Sequence, residues 1–174
     1  LGTLLQECAT LQEGAIIFGY RVKDPERYGI VEFDDKENVL SLEEKPAKPK
    51  SDFAVPGIYF YDNQVVKNAE AVKPSARGEI EITDLNKIYL EKGKLKAKLF
   101  GRGVAWLDAG THESLLQAAT FIEAIQQRQG LMISCPEEIA YHMGYINKIQ
   151  LEKLGKALSG NSYGEYILEI AGGE

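Results

Sequence analysis

The sequence predicts an α/β fold with a mixed sheet, and three features predict it. Short runs of β-branched and aromatic residues recur through the first hundred positions, separated by Gly, Pro and Asp. Helical periodicity breaks in twice among those runs. Beyond Thr111 the pattern is helical to the end.

Taken in order, residues 4–11 carry Leu4, Leu5, Cys8, Ala9 and Leu11, which suits a short amphipathic helix ended by Gly14. Residues 15–22, AIIFGYRV, form a buried type of strand that Asp24 and Pro25 stop, because Pro has no N–H for a ladder. Strands at 29–33 and 39–45 flank the polar stretch Asp34–Asn38, so a hairpin is predicted. AKPKSD then reads as a solvated loop, and 55–61 as a further strand rich in aromatic residues. Val65, Val66, Ala69 and Val72 share a helix face that Pro74 ends. A second helix is expected over 82–92, with Ile82, Leu85, Ile88 and Tyr89 on one side and Gly93 as terminator. Residues 95–100 and 103–107 read as strands. Leu115, Leu116, Ala119, Ile122 and Ile125 recur at helical spacing until Gly130. Ser134 and Glu137 stand at capping-box spacing around Pro136, and two more helices are expected at 148–158 and 163–170.

The chain has 174 residues, enough for one ordinary domain with a sizeable core. Hydrophobic residues make up 44% and charged residues 26%, the balance of a globular protein rather than a disordered one. A formal net charge of −6 argues against a nucleic-acid partner, whose phosphates call for clustered Lys and Arg. Cys8 and Cys135 are too few for a disulfide framework and form no closely spaced metal pair, which suits two reduced thiols in a cytoplasmic protein. No apolar run approaches the roughly 20 residues that span a bilayer, so no membrane partner is expected. The opening at Leu1 has neither an initiator Met nor the basic start and apolar stretch of a leader; it suggests a fragment, and removal of a leader by processing is the alternative. No P-loop, GxGxxG or GxSxG pattern occurs, and His112 and His142 stand far apart with no neighbouring ligand.

Four stretches place charged or aromatic side chains beside glycines and strand ends. In PERYG, Gly29 would admit a close approach to the backbone and Tyr28 offers a flat face; an ordinary turn explains the same residues. In SLEEKP, a carboxylate at Glu44 suits hydroxyl donors and the ammonium of Lys45 suits a phosphate. Neighbours on a regular strand face opposite ways, so both reach one ligand only if the strand bends or ends there; a solvated strand end is the alternative. In SARGEIEITD, Arg77 beside Gly78 would present a fork to a phosphate, while Glu79, Glu81 and Asp84 are equally explained by a helix N-terminus. In VAWLDAGT, Asp108 stands where a carboxylate would hold Mg²⁺, or where a turn precedes a helix capped by Thr111.

Read together, DPERYGIVEFDD, SLEEKPAKPKSDFAVPGIYFYD, KPSARGEIEITDLNKIYLEKG, FGRGVAWLDAGTHESLLQAATFI and RQGLMISCPEEIAYHMGYI resemble bacterial glucose-1-phosphate thymidylyltransferases. The resemblance covers nearly the whole chain and about three-fifths of a typical member. It implies part of a Rossmann-like nucleotidyltransferase fold with a β-rich sugar-binding portion and a C-terminal helical tail, with residues 1–110 and 111–174 belonging to one domain. The implied reaction joins dTTP and α-D-glucose 1-phosphate into dTDP-glucose, with Mg²⁺, in a cytoplasmic homo-oligomer. The family's Gly-rich nucleotide loop is expected upstream of Leu1, so the isolated chain is expected to be inactive. Uridylyl or cytidylyl transfer on the same fold, or a non-catalytic sugar-phosphate-binding module, are the competing readings.

Carried over by position, Tyr28 and Gly29 lie beside the sugar, Glu44 binds its hydroxyls, and Lys45 contacts its phosphate. Val55, Tyr59 and Trp106 line the pocket, Arg77 contacts phosphate, and Asp108 holds Mg²⁺. The resemblance makes Lys45, Arg77 and Asp108 the catalytic set. It also implies a regulatory site at Arg102, Glu138 and Ile139, although His142 stands where the family often has Arg, and Ala109 where it often has Thr.

Overall fold

Strand β1 (Ala15–Arg21) organises the first part of the molecule because both of its faces are covered. Ile17 joins the main apolar cluster on one side, while Phe18, fully buried, stacks on Phe100 at 4.7 Å between ring centroids. Such two-sided burial explains why the segment is a continuous apolar run rather than an alternating one. The structure, a computed structural model, describes residues 1–75 and 78–173. It divides into two compact units, Leu1–Trp106 and Leu107–Glu174.

In the first unit, β1 pairs in parallel with β6 (Leu95–Leu99) and antiparallel with β4 (Phe53–Ala54) and β5 (Tyr59–Tyr61). Strands β2 (Gly29–Phe33) and β3 (Val39–Glu44) form the predicted hairpin, and β2 joins β4 through Ile30 and Ala54. The sheet is therefore mixed, as the sequence predicts. The hairpin turn is built by Asp34, whose Oδ1 accepts the N–H groups of Lys36 and Asn38 at 2.9 Å each, with Glu37 in the left-handed region. Helices α1 (Gly2–Cys8), α2 (Val65–Glu70) and α3 (Ile82–Glu91) complete this unit. Helix α3 buries Leu85 and Tyr89 with Val31, Val39, Leu42 and Leu95 of the sheet.

The second unit contains α4 (His112–Gln129), α5 (Pro136–His142), α6 (Lys148–Ala157) and α7 (Ser162–Gly172). Its core is Cys135, Leu151, Tyr166, Ile167 and Ala171. Helices α6 and α7 approach closely at Gly155 and Gly164: a Cβ on Gly164 would lie 2.2 Å from the Leu158 carbonyl oxygen. Both cysteines are buried and free.

Four sequence expectations need correction. The strand expected over 55–61 is confined to Tyr59–Tyr61, because Pro56 cannot donate to a ladder and the Ile58 N–H turns back to the Pro56 carbonyl; the residues just before it, Phe53–Ala54, form a separate strand. Residues 103–107 are not a strand; Gly103 takes φ +94° and no ladder among the described residues includes them. The helix expected over 4–11 stops at Cys8, where the Thr10 and Leu11 N–H groups tighten onto carbonyls three residues back. The Ser134–Glu137 capping box does not form: Ser134 is left-handed, Cys135 is the N-cap, and Glu137 accepts the Tyr163 hydroxyl instead.

Candidate functional site

The hairpin register puts Gly29 directly opposite Glu44, so the last residue of β3 and the first of β2 share one end of the ribbon. There the Lys45 N–H donates to the Tyr28 carbonyl at 3.0 Å, and the Val55 N–H donates to the Gly29 carbonyl at 2.8 Å. Residues separated by up to 27 positions are thereby locked to one patch by backbone bonds alone. Lys45 itself adopts φ +45°, a conformation that costs a non-glycine residue on the order of 1–2 kcal/mol. The turn breaks the strand alternation that would otherwise send the Glu44 and Lys45 side chains to opposite faces. The strand does end at Glu44, which is the condition the sequence sets for both to serve one ligand.

Aromatic rings build the surroundings. Trp106 meets Tyr28 edge-on at 5.2 Å and Tyr20 at 5.7 Å, and the Arg27 guanidinium stands over the Tyr28 ring at 5.4 Å. Tyr59 stacks on Tyr61 at 5.9 Å. Burial, and then the nearby Glu44 carboxylate, push the Tyr59 phenol above its ordinary value, so it keeps its proton and can donate. Burial also raises Tyr61, whose hydroxyl donates to Asn86 Oδ1 at 2.5 Å. Tyr28, Gly29, Glu44, Val55, Tyr59 and Trp106 are each half-buried, while Lys45 is exposed. Aromatic rings beside the Glu44 carboxylate, with Lys45 next in the chain, suit a polar ligand that carries hydroxyls and negative charge.

The structure adds a residue that sequence reasoning passed over. Thr83, on the first turn of α3, is 5% exposed and donates its hydroxyl to Glu44 Oε2 at 2.5 Å. Gly29 is tightly enclosed by the same pair: a Cβ there would lie 3.1 Å from Glu44 Oε2 and 3.3 Å from Thr83 Oγ1. The signal was present as two polar residues, Thr83 and Asn86, on the buried stripe that also holds Leu85 and Tyr89.

Arg77 lies outside the described residues. Asp108 belongs to the second unit, in a turn where its Oδ1 accepts the Gly110 N–H at 3.2 Å; Thr111 caps α4 by accepting the Ser114 N–H at 3.1 Å. Mg²⁺ is usually held by one or two carboxylates with phosphate oxygens and waters, not by an all-protein cage. Among the described residues no group of three or more His, Cys, Asp or Glu side chains could form such a cage. The half-buried carboxylate of Asp108 fits the first arrangement.

Of the expected regulatory residues, Arg102 lines a shallow depression of about 360 Å³ with Tyr20, Arg21, Phe100 and Val104 in the first unit. Glu138, in the second, accepts the Tyr166 hydroxyl at 2.7 Å and lies 3.8 Å from His142. Ile139 is 54% exposed. Glu138 and Ile139 are neighbours on α5, and the structure joins Arg102 to neither within one unit.

The chain belongs to the nucleotidyl transferase family, whose sequence model matches residues 1–125. Within that family it is 54% identical, over 168 residues, to the glucose-1-phosphate thymidylyltransferase of Neisseria gonorrhoeae, covering 97% of this chain and 58% of that protein. The Mycobacterium tuberculosis protein of the same name is 51% identical over 170 residues, 98% of this chain and 59% of its own length. The chain therefore spans rather less than two-thirds of the curated relatives it matches. Among solved structures, a Bacillus anthracis protein assigned as a glucose-1-phosphate thymidylyltransferase, in complex with a sucrose, superposes with a TM-score of 0.60 at 42% identity. That match covers 68% of this chain and 47% of the other. A UDP-glucose pyrophosphorylase complexed with UDP-glucose shares the fold, with a TM-score of 0.58 at 22% identity over 70% of this chain and 47% of its own.

Proposed function

We propose that this chain supplies the sugar-phosphate side of a glucose-1-phosphate thymidylyltransferase, the enzyme that joins dTTP and α-D-glucose 1-phosphate into dTDP-glucose and pyrophosphate. The observation that carries the reading is the left-handed turn at Lys45, directly after the Gly29–Glu44 pair. Backbone strain in a non-glycine residue beside a half-buried carboxylate and aromatic rings is the kind of outlier that function maintains. The names of relatives at 50% identity and above supply the choice of nucleotide and sugar.

In this reading Glu44 accepts hydroxyls of the hexose, and Tyr59, held protonated, donates to it. Val55 and the Tyr28–Trp106 pair wall the ring. Lys45 meets the phosphate as a point charge, with Arg77 as a second cationic contact. The sugar-phosphate oxygen attacks the α-phosphorus of dTTP, and pyrophosphate leaves without a covalent enzyme intermediate. Positioning and charge neutralisation then account for the rate, as in other phosphoryl transfers. Mg²⁺ held at Asp108 would supply further neutralisation of the phosphate oxygens. A cytoplasmic homo-oligomer with a regulatory site that includes Arg102, Glu138 and Ile139 belongs to the same reading.

Titrating the chain with glucose 1-phosphate tests this. Wild type should bind, and Lys45→Ala should bind about tenfold more weakly, the scale of one hydrogen bond to a charged group. Equal affinities would remove Lys45 from the site. For the protein that carries this chain, a preference for UTP or CTP over dTTP in pyrophosphate release would overturn the choice of nucleotide. Pyrophosphate release by the 174-residue chain alone would overturn its expected inactivity.

A further inference from the structure

We infer that Thr83 is a positioning residue for the sugar, which holds the Glu44 carboxylate in the orientation that accepts sugar hydroxyls; the inference rests on Glu44 being the sugar-binding carboxylate. Thr83 and Glu44 stand 39 positions apart, on different elements, and meet through a hydroxyl-to-carboxylate bond of 2.5 Å. At the second position of α3, Thr83 has no preceding helical turn whose carbonyl its hydroxyl could bond. Here the hydroxyl reaches out of α3 to the end of β3.

The packing limits where Glu44 can go. Its Oε2 and the Thr83 Oγ1 both lie over Gly29, within 3.1 and 3.3 Å of the position a Cβ would take there. The missing side chain at Gly29 therefore makes room for the pair. A glutamate reaches its carboxylate through three rotatable bonds, and ordering them on binding costs affinity. The Thr83 bond takes one lone-pair site on Oε2, of about four on an ionised carboxylate, and fixes the plane of the group before ligand arrives. The Glu44 carboxylate is thus preorganised by Thr83 and enclosed by Gly29.

A buried threonine hydroxyl that is merely satisfied by a neighbour would look the same, so the experiment must separate orientation from packing. The full chain and its variants Thr83→Val, Thr83→Ser and Glu44→Ala are titrated with glucose 1-phosphate and, separately, with inorganic phosphate, after each variant's melting curve is recorded. Thr83→Val keeps the volume and removes the donor; Thr83→Ser keeps the donor. The expected result is an affinity for glucose 1-phosphate about tenfold weaker in Thr83→Val, near wild type in Thr83→Ser, with phosphate binding unchanged in both. If Glu44→Ala weakens glucose 1-phosphate binding while Thr83→Val does not, the positioning role is overturned and the site reading stands. Equal weakening of both ligands by Thr83→Val would mean a packing role and would also overturn it. If Glu44→Ala binds as wild type, the site reading itself falls and this inference with it. Should Thr83→Val not melt cooperatively, Thr83→Ala is read by the same criteria.

Discussion

The two units hold their candidate residues by different means. In Leu1–Trp106 the residues come from distant points of the chain and are brought together by strand register: Gly29 against Glu44, Lys45 against Tyr28, Val55 against Gly29. In Leu107–Glu174 they sit in local structure, Asp108 in its own turn with Gly110 and Glu138 on a single helix. Long-range register gives a site that small changes can disarm without unfolding it. Local helical structure gives positions whose loss is mostly a matter of packing. Even the helices differ within the second unit: α4 is closed by a capping box at Thr111 and a left-handed Gly130, yet buries no residue, whereas α6 and α7 bury Leu151 and Ile167 completely.

The largest expected effect breaks the packing side of that contrast. Gly164→Ala would place a methyl 2.2 Å from the backbone oxygen of Leu158, which cannot rotate away, so the second unit should lose about 3 kcal/mol or fail to fold. Thermal denaturation followed by circular dichroism would read it. A loss below about 1 kcal/mol would show that α6 and α7 separate easily. Next comes Tyr61→Phe in the first unit. It strips the donor from Asn86 Oδ1 in a residue that is 1% exposed, and should cost about 1–3 kcal/mol in denaturant titration.

Gly29→Ala sharpens the other side. Its methyl would meet only the ends of the Glu44 and Thr83 side chains, at 3.1 and 3.3 Å, and these can shift. Stability should fall by less than about 1 kcal/mol, while glucose 1-phosphate binding should weaken about tenfold as the carboxylate is displaced. Comparable losses of stability in Gly29→Ala and Gly164→Ala would erase the distinction drawn between the units.

The smallest effect concerns acid. The Gly14 N–H at 2.7 Å, and then the Tyr89 hydroxyl at 2.9 Å, hold the Asp62 carboxyl below its ordinary value. A depressed folded pKa means that the contribution is complete above the unfolded value near 4 and disappears as pH falls through the folded one. The melting temperature of wild type should drop in that acid range, and Asp62→Asn should show a smaller drop. Parallel pH profiles for the two would remove Asp62 from the acid response.

Much of the fold is legible along the chain because it rests on local rules. The apolar run at 15–22, the polar hairpin turn at Asp34–Asn38, and Gly93 and Gly130 as helix terminators each act within a few residues. Elsewhere a competing local contact wins: the Ile58 N–H bond to Pro56 delays β5 to Tyr59, and Tyr163 draws Glu137 away from a capping box. Site residues were nameable from motif and resemblance, yet their arrangement was not, since a sequence does not state register.

By itself the sequence determined the class of elements, the turn chemistry and the candidate carboxylate and ammonium at Glu44 and Lys45. Only the tertiary structure decided that Gly29 faces Glu44, that Lys45 turns left-handed after it, and that Thr83 reaches across from α3 to hold the carboxylate. The reason is physical. Propensity and capping act over one helical turn, whereas pairing and hydroxyl-to-carboxylate contacts join residues tens of positions apart and exist only once the sheet and α3 have packed together.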